Sequence, residues 1–179
     1  MPKFIAFLRA INVGGHIVKM DQLRELFAAM GFANVETFIA SGNVIFESKS
    51  KDTNALQLQI ENHLLKAVGY EVATYVRTVD ELARVAKYQP FSESELNAEG
   101  NTLYVGFIAD SPAKAVSQKV ESLATDVDDL KVTGREVYWL LHTNFSDSKL
   151  SGPILERTLG TKVTFRNINT VRRIVKKYS

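Results

Sequence analysis

Lys3-Phe4-Ile5-Ala6-Phe7-Leu8-Arg9 sets Phe4, Ala6 and Leu8 on one side of an extended chain and Ile5, Phe7 and Arg9 on the other. Both sides are largely apolar, as expected of a strand in the middle of a sheet. The same kind of stretch returns a hundred residues later over 102–109. Each copy opens the same order of patterns: strand, helix, strand, strand, helix, strand. After the first copy, Leu23, Leu26, Phe27 and Met30 form an i, i+3, i+4, i+7 stripe, and Gly31 stands where a helix is capped. Asp21 falls in the first turn, where the helix dipole favours it.

Residues 35–40 and 43–47 are β-rich and so close together that a tight hairpin must join them, with its turn chemistry in Ser41-Gly42-Asn43. A helix over 54–68 turns Leu56, Ile60, Leu64 and Ala67 inward and stops at Gly69. Residues 70–77 complete the first unit as a strand, and Thr78-Val79-Asp80-Glu81 has capping-box spacing for a short helix ending before Pro90. Residues 91–101 are polar and read as a linker. The second unit has a strand over 102–109 and a helix opened by Ser111-Pro112, with Val116, Val120 and Leu123 on its apolar face. A hairpin follows over 130–141 with Gly134-Arg135-Glu136 as counterpart of the first turn. A helix over 152–159 stops at Gly160, a strand spans 162–165, and Asn167 caps a last helix to 177.

The expected fold is therefore α+β: two tandem ferredoxin-like (βαββαβ) units with antiparallel sheets, plus a C-terminal helix. The expected organisation is 1–90 for the first unit and its following short helix, 91–101 for the linker, and 102–179 for the second unit with the last helix. In such a sheet the strands lie in the order fourth, first, third, second. The exit of the first strand then lies at the same edge as the first hairpin, which brings Arg9 and Asn12 toward Ser41, Gly42 and Asn43 across some thirty positions of sequence.

Phe7-Leu8-Arg9-Ala10-Ile11-Asn12-Val13-Gly14-Gly15 with Met20 and Leu23, then Ser41-Gly42-Asn43-Val44-Ile45-Phe46, then Thr164-Phe165-Arg166-Asn167-Ile168-Asn169-Thr170 resemble the motifs of a bacterial family, domain of unknown function 1697. The resemblance runs from the first strand to the last helix. It implies two ferredoxin-like units and no particular activity.

Composition excludes several functions. The 22 basic and 20 acidic residues leave too weak a field for bulk attraction to nucleic acid or an anionic membrane, so any charged partner must meet a local patch. No apolar run approaches the roughly 20 residues that span a bilayer, and the N-terminus has no leader pattern, so a cytoplasmic protein without a membrane partner is expected. The absence of cysteine removes disulfides, thiolate nucleophiles and iron–sulfur clusters. His16, His63 and His142 have no metal-ligand spacing, so neither a metal nor any cofactor is expected. Adjacent Ser148-Lys149 point apart and make a poor dyad, Asp128-Asp129 suit the turn before a strand, and of Tyr138 and Trp139 one should be core. No catalytic residue emerges, and whether a reaction follows binding stays open.

Two groups remain as candidate binding residues. Arg9, Asn12, Gly14, Gly15, Ser41, Gly42 and Asn43 combine a planar guanidinium, amides, a hydroxyl and paired glycines whose N–H groups can form an anion-binding nest. A small phosphate- or carboxylate-bearing ligand suits them; the competing reading is turn chemistry plus hydrogen bonds that tie down a long loop. The other group is the basic C-terminal run Lys162, Arg166, Arg172, Arg173, Lys176 and Lys177, with no acidic residue after Glu156. It reads as a solvated face that compensates the helix dipole, or as a contact to the phosphates of nucleic acid, with Arg166 and Asn167 beside it and Asn167 as N-cap. An RNA-reading sheet would need exposed rings, for which Phe7 and Phe46 are the nearest candidates, yet residues 43–47 lack the basic-glycine-aromatic run of that motif. A homo-oligomeric scaffold using sheet faces is a third expectation.

Overall fold

The central strand β1 (Lys3–Leu8) is flanked by β3 (Ala40–Glu47) and β4 (Thr74–Thr78), both antiparallel to it, and β2 (Ala33–Phe38) adds to the far side of β3, giving the order β2-β3-β1-β4. The computed structural model describes residues 1–12 and 15–179, without the side chains of Ser41 and Phe145. The second sheet repeats the plan with β6 (Asp128–Thr133), β7 (Glu136–Leu141), β5 (Thr102–Phe107) and β8 (Thr164–Asn167) in the order β6-β7-β5-β8. These are two ferredoxin-like units. By the density of contacts within the chain, one unit is residues 1–85 with 173–179 and the other is 86–172.

In the first unit α1 (Met20–Ala29) and α2 (Thr53–Val68) cover one face of the sheet. Phe4, Ala6, Leu8, Val44, Phe46 and Val76 from the strands meet Leu23 and Phe27 of α1 and Leu56, Ile60 and Leu64 of α2. The opposite face is also dry, since Ile5, Phe7, Ile45, Tyr75 and Arg77 are all buried. Phe7 and Phe46 are fully buried, so neither is a stacking platform for bases. In the second unit α5 (Lys114–Glu121) and α6 (Gly152–Leu159) supply Val120, Leu155 and Leu159 to a core with Leu130, Val137, Trp139 and Leu141. Gly106 is required there: a Cβ on it would sit 2.6 Å from the Phe165 ring and 2.7 Å from Val163.

Local chemistry explains most boundaries. Gly31, Gly69 and Gly160 follow their helices in the left-handed conformation, and Thr78 and Glu81 exchange hydrogen bonds at the start of α3 (Val79–Lys87), Thr78 N–H to Glu81 Oε2 at 2.8 Å and Glu81 N–H to Thr78 Oγ1 at 3.0 Å. Ser151 caps α6, and Asn167 Oδ1 accepts the Asn169 N–H at 2.9 Å at the start of α7 (Ile168–Tyr178).

Four expectations are corrected. The first hairpin turns at Ile39, with Phe38 opposite Ala40, and residues 41–43 belong to β3. The β2–β3 register jumps there from Thr37↔Val44 to Phe38↔Ala40, so 41–43 are extra residues on the β3 side while Asn43 stays opposite Phe7 of β1. The 91–101 segment contains α4 (Glu93–Asn97), because Ser92 and Glu95 form a second capping box. The helix expected at Ser111-Pro112 starts at Lys114, and Ser111 does not cap it. On α2 the inward position expected of Ala67 is exposed, and Gln57 is buried instead because its Oε1 accepts the Val76 N–H of the edge strand β4 at 2.8 Å.

Candidate functional site

Because β1 and β3 are antiparallel with Phe7 opposite Asn43, the loop leaving β1 and the β2–β3 tip emerge at one end of the first unit. Immediately after β1, the Arg9 N–H bonds to Ala73 O at 2.9 Å, continuing the β1–β4 ladder by one residue. Ala10 then takes φ +57°, a left-handed conformation that costs a residue with a Cβ about 1–2 kcal/mol. The loop is closed by Asn12, whose Oδ1 accepts the Val18 N–H at 2.7 Å, and by Tyr70, whose hydroxyl donates to Ile11 O at 2.6 Å. The His16 ring packs on Tyr70 with 4.2 Å between centroids, and burial raises the Tyr70 phenol above its ordinary pKa. Gly15 has φ +83° with open space on the side where a Cβ would stand.

Opposite this loop, Asn43 is buried and its amide donates to Phe38 O at 3.2 Å across the extra residues of β3. At the tip Ile39 has φ +68° and is 46% exposed, an arrangement costly for a β-branched side chain and without return in burial. The start of α1 borders the tip, since Arg24 one turn into the helix donates to Thr37 Oγ1 at 2.9 Å while also pairing with Asp21. Lys19 occupies the N-cap position of α1 without a side-chain hydrogen bond, so no side chain from the cap takes up the first N–H groups of the helix.

Of the expected constellation, Arg9, Asn12, Gly15, Gly42 and Asn43 therefore belong to one end of one unit. Asn12 and Asn43 each brace their own segment there. Gly14 lies outside the described residues, as does the side chain of Ser41.

Arg166 and Asn167 lie elsewhere, on β8 of the second unit. Arg166 Nη1 donates to Thr164 Oγ1 and to Phe165 O, both at 2.9 Å, and burial lowers its pKa to about 10, which leaves it protonated at neutral pH. Asn167 and Arg172 border a groove of about 170 Å³ with Asn97, Asn101 and Asn169. The basic face of α7 is partly engaged within the first unit: Arg173 and Lys177 lie over the Phe38 ring at 5.7 and 5.0 Å, and Lys177 pairs with Glu36 at 3.6 Å. The Tyr178 hydroxyl donates to the same Glu36 carboxylate at 2.7 Å.

Sequence reading missed one polar centre. Asp128, assigned to a turn, is a strand residue with no exposed surface, and its carboxylate accepts from Thr125 Oγ1 (2.6 Å), Trp139 Nε1 (2.7 Å) and Ser148 Oγ (2.8 and 2.9 Å to its two oxygens). Asp129, pointing the other way, pairs with His142 Nε2 at 2.6 Å. The alternation of β6 was the available signal, because it puts Asp128 on the same face as Leu130. Tyr138 and Trp139 are both buried. Among the described residues no group of three His, Asp or Glu is placed to hold a metal ion, and no helix is long and apolar enough to cross a membrane.

Residues 1–138 match the model of a family described as protein of unknown function, DUF1697. The chain belongs to this family. The DUF1697 match covers both motifs at the rim of the first unit and ends within β7 of the second. A conserved bacterial protein from Streptococcus pneumoniae, SP0830, has a similar solved structure, with a TM-score of 0.77 over 99% of this chain and 98% of that one. At 21% identity this likeness establishes the shared fold and nothing about activity. No curated protein matches the chain.

Proposed function

We propose that the rim where β1 leaves the first sheet binds a small anion, a phosphate or a carboxylate. The observation that carries this reading is the concentration of backbone strain. Ala10 and Ile39 both have positive φ and flank this rim, one after Arg9 and the other at the hairpin tip; the third such non-glycine residue among those described is Asn34, a residue type that tolerates the conformation. Strain of about 1–3 kcal/mol per residue persists where the surroundings enforce it, and it gathers at ligand clamps. The chemistry at the rim suits negative charge. Residues 9–19 carry Arg9, His16 and Lys19 and no carboxylate, and the α1 N-terminus lacks a capping side chain. In this reading Arg9 supplies the charge, Gly15 supplies a backbone donor, and Asn12 and Asn43 hold the two segments in place.

Thermal-shift titration with inorganic phosphate and with acetate tests this, since a ligand that binds the folded chain raises its melting temperature. Asn12→Asp is the informative variant. Aspartate preserves the acceptor for the Val18 N–H, and so the loop brace, while adding a negative charge to the rim. The expected result is a folded variant that loses the anion-dependent rise, with Arg9→Ala losing the same rise. Unchanged anion binding in a folded Asn12→Asp variant refutes the site. Unfolding of Arg9→Ala, with no anion-dependent rise in the wild type, assigns these residues to bracing alone.

A further inference from the structure

Helix α2 carries apolar residues on two opposite faces. Leu56, Ile60 and Leu64 are buried in the core of the first unit, while Ala55, Leu58, Asn62 and Leu65 are exposed, with Leu58 62% and Leu65 42% accessible. The exposed four stand at i, i+3, i+7 and i+10, which sets them in one line along the helix, opposite the core-facing side. Scattered exposed leucines are ordinary and need no partner. A line with this spacing is the seam of a two-stranded coiled coil, with Leu58 and Leu65 at its d positions and Ala55 and Asn62 at its a positions.

We propose that α2 is a self-association surface, along which two copies of this chain pair in parallel about a two-fold axis, Leu58 and Leu65 each meeting its own counterpart. The polar residues of the seam select a second copy over a foreign helix. Asn62 stands at an a position, where a carboxamide is both donor and acceptor, pairs with its counterpart and fixes two strands in register. Glu61 and Lys66 flank the seam at g and e positions, so a parallel pair sets Glu61 of each copy against Lys66 of the other, twice by symmetry. An antiparallel pair would instead oppose like charges. Glu61 is already engaged within its own chain, and a carboxylate, with about four lone-pair sites, can accept from a second lysine as well. Two heptads are too short to form a helix pair from unfolded peptides, but α2 is a helix of 16 residues held by its buried face, so pairing has no helix to nucleate. A seam of about 24 Å with two leucines per copy is smaller than a standard stable interface, so the pair is a weak one with a dissociation constant on the order of 0.1 mM.

Sedimentation equilibrium of the full chain from about 10 μM to about 1 mM tests this, and the average mass should rise across that range from that of one chain toward that of two. Leu58→Lys and Leu65→Lys, both at exposed positions, should each weaken association about tenfold or more while the dilute protein keeps its melting temperature. Lys66→Glu should also weaken it, and an equal mixture of Lys66→Glu with Glu61→Lys should associate more tightly than either variant by itself. Because the chain has no cysteine, Leu58→Cys should give a disulfide-linked dimer on mild oxidation far faster than Glu99→Cys, an exposed position away from α2, since a parallel pair brings the two copies of position 58 within bonding distance. A mass that stays that of one chain up to about 1 mM overturns the proposal. Association left untouched by Leu58→Lys and Leu65→Lys moves the contact to another surface and also overturns it. A dimer whose Leu58→Cys form cross-links no faster than Glu99→Cys is not paired in parallel along α2, which refutes it as well.

Discussion

Removing the Asp128 carboxylate should be among the costliest single changes in the second unit. Asp128→Ala takes the acceptor from the indole N–H of Trp139, itself only 2% exposed, and from the hydroxyls of Thr125 and Ser148. A buried donor left without a partner costs about 1–3 kcal/mol. The indole cannot turn away, so it bears the full penalty, while Thr125 is exposed and Ser148 half-buried, and their hydroxyls recover part of theirs by rotating toward water. With the missing volume added, the loss is about 3–5 kcal/mol, a large fraction of the roughly 5–15 kcal/mol that stabilises an ordinary domain. Asp128→Asn keeps the shape and one acceptor for Trp139, and its new N–H₂ can donate to the Thr125 hydroxyl, so about 1–2 kcal/mol is expected. Trp139 is the only tryptophan in the chain, so its fluorescence during urea unfolding reads this site directly, with far-UV circular dichroism testing for two-state behaviour. An alanine variant that loses less than about 1 kcal/mol, or an asparagine variant as unstable as alanine, refutes the view that the carboxylate acts as an acceptor hub.

Gly106→Ala should lower stability by about 1–3 kcal/mol, because its Cβ would overlap the Phe165 ring and Val163 between neighbouring strands. At about 2–4 °C per kcal/mol for a chain of this size, a melting temperature within 1 °C or so of wild type would show that the ring yields freely. Burial and the hydrogen bond to Glu36 hold the Tyr178 phenol above the ordinary tyrosine range. Above the ordinary value of about 10 the unfolded chain releases this proton while the folded chain keeps it, so stability falls as pH rises. Tyr178→Phe should flatten part of that alkaline decline in denaturant melts; Tyr70 and Tyr104, also raised by burial, account for some of the remainder. An unaltered alkaline slope in Tyr178→Phe would count against the Glu36 contact.

The sequence by itself determined the order of elements, both sheet topologies and the meeting of the β1 exit with the first hairpin. Those follow from signals that act within a few residues: two-residue and 3.6-residue periodicity, the capping box at Thr78 that opens α3, and glycines 31, 69 and 160 in left-handed caps. What escaped depends on partners far along the chain. The hairpin turns at Ile39 because β3 must align Phe7 with Asn43 on one side while fitting β2 on the other, and the three surplus residues fall after the turn where Ser41-Gly42-Asn43 had suggested the turn itself. Asp128 looks like turn chemistry until Trp139 and Ser148, eleven and twenty positions away, close around it. A buried carboxylate is tolerable only when such donors converge, and their convergence is a property of the packed tertiary structure.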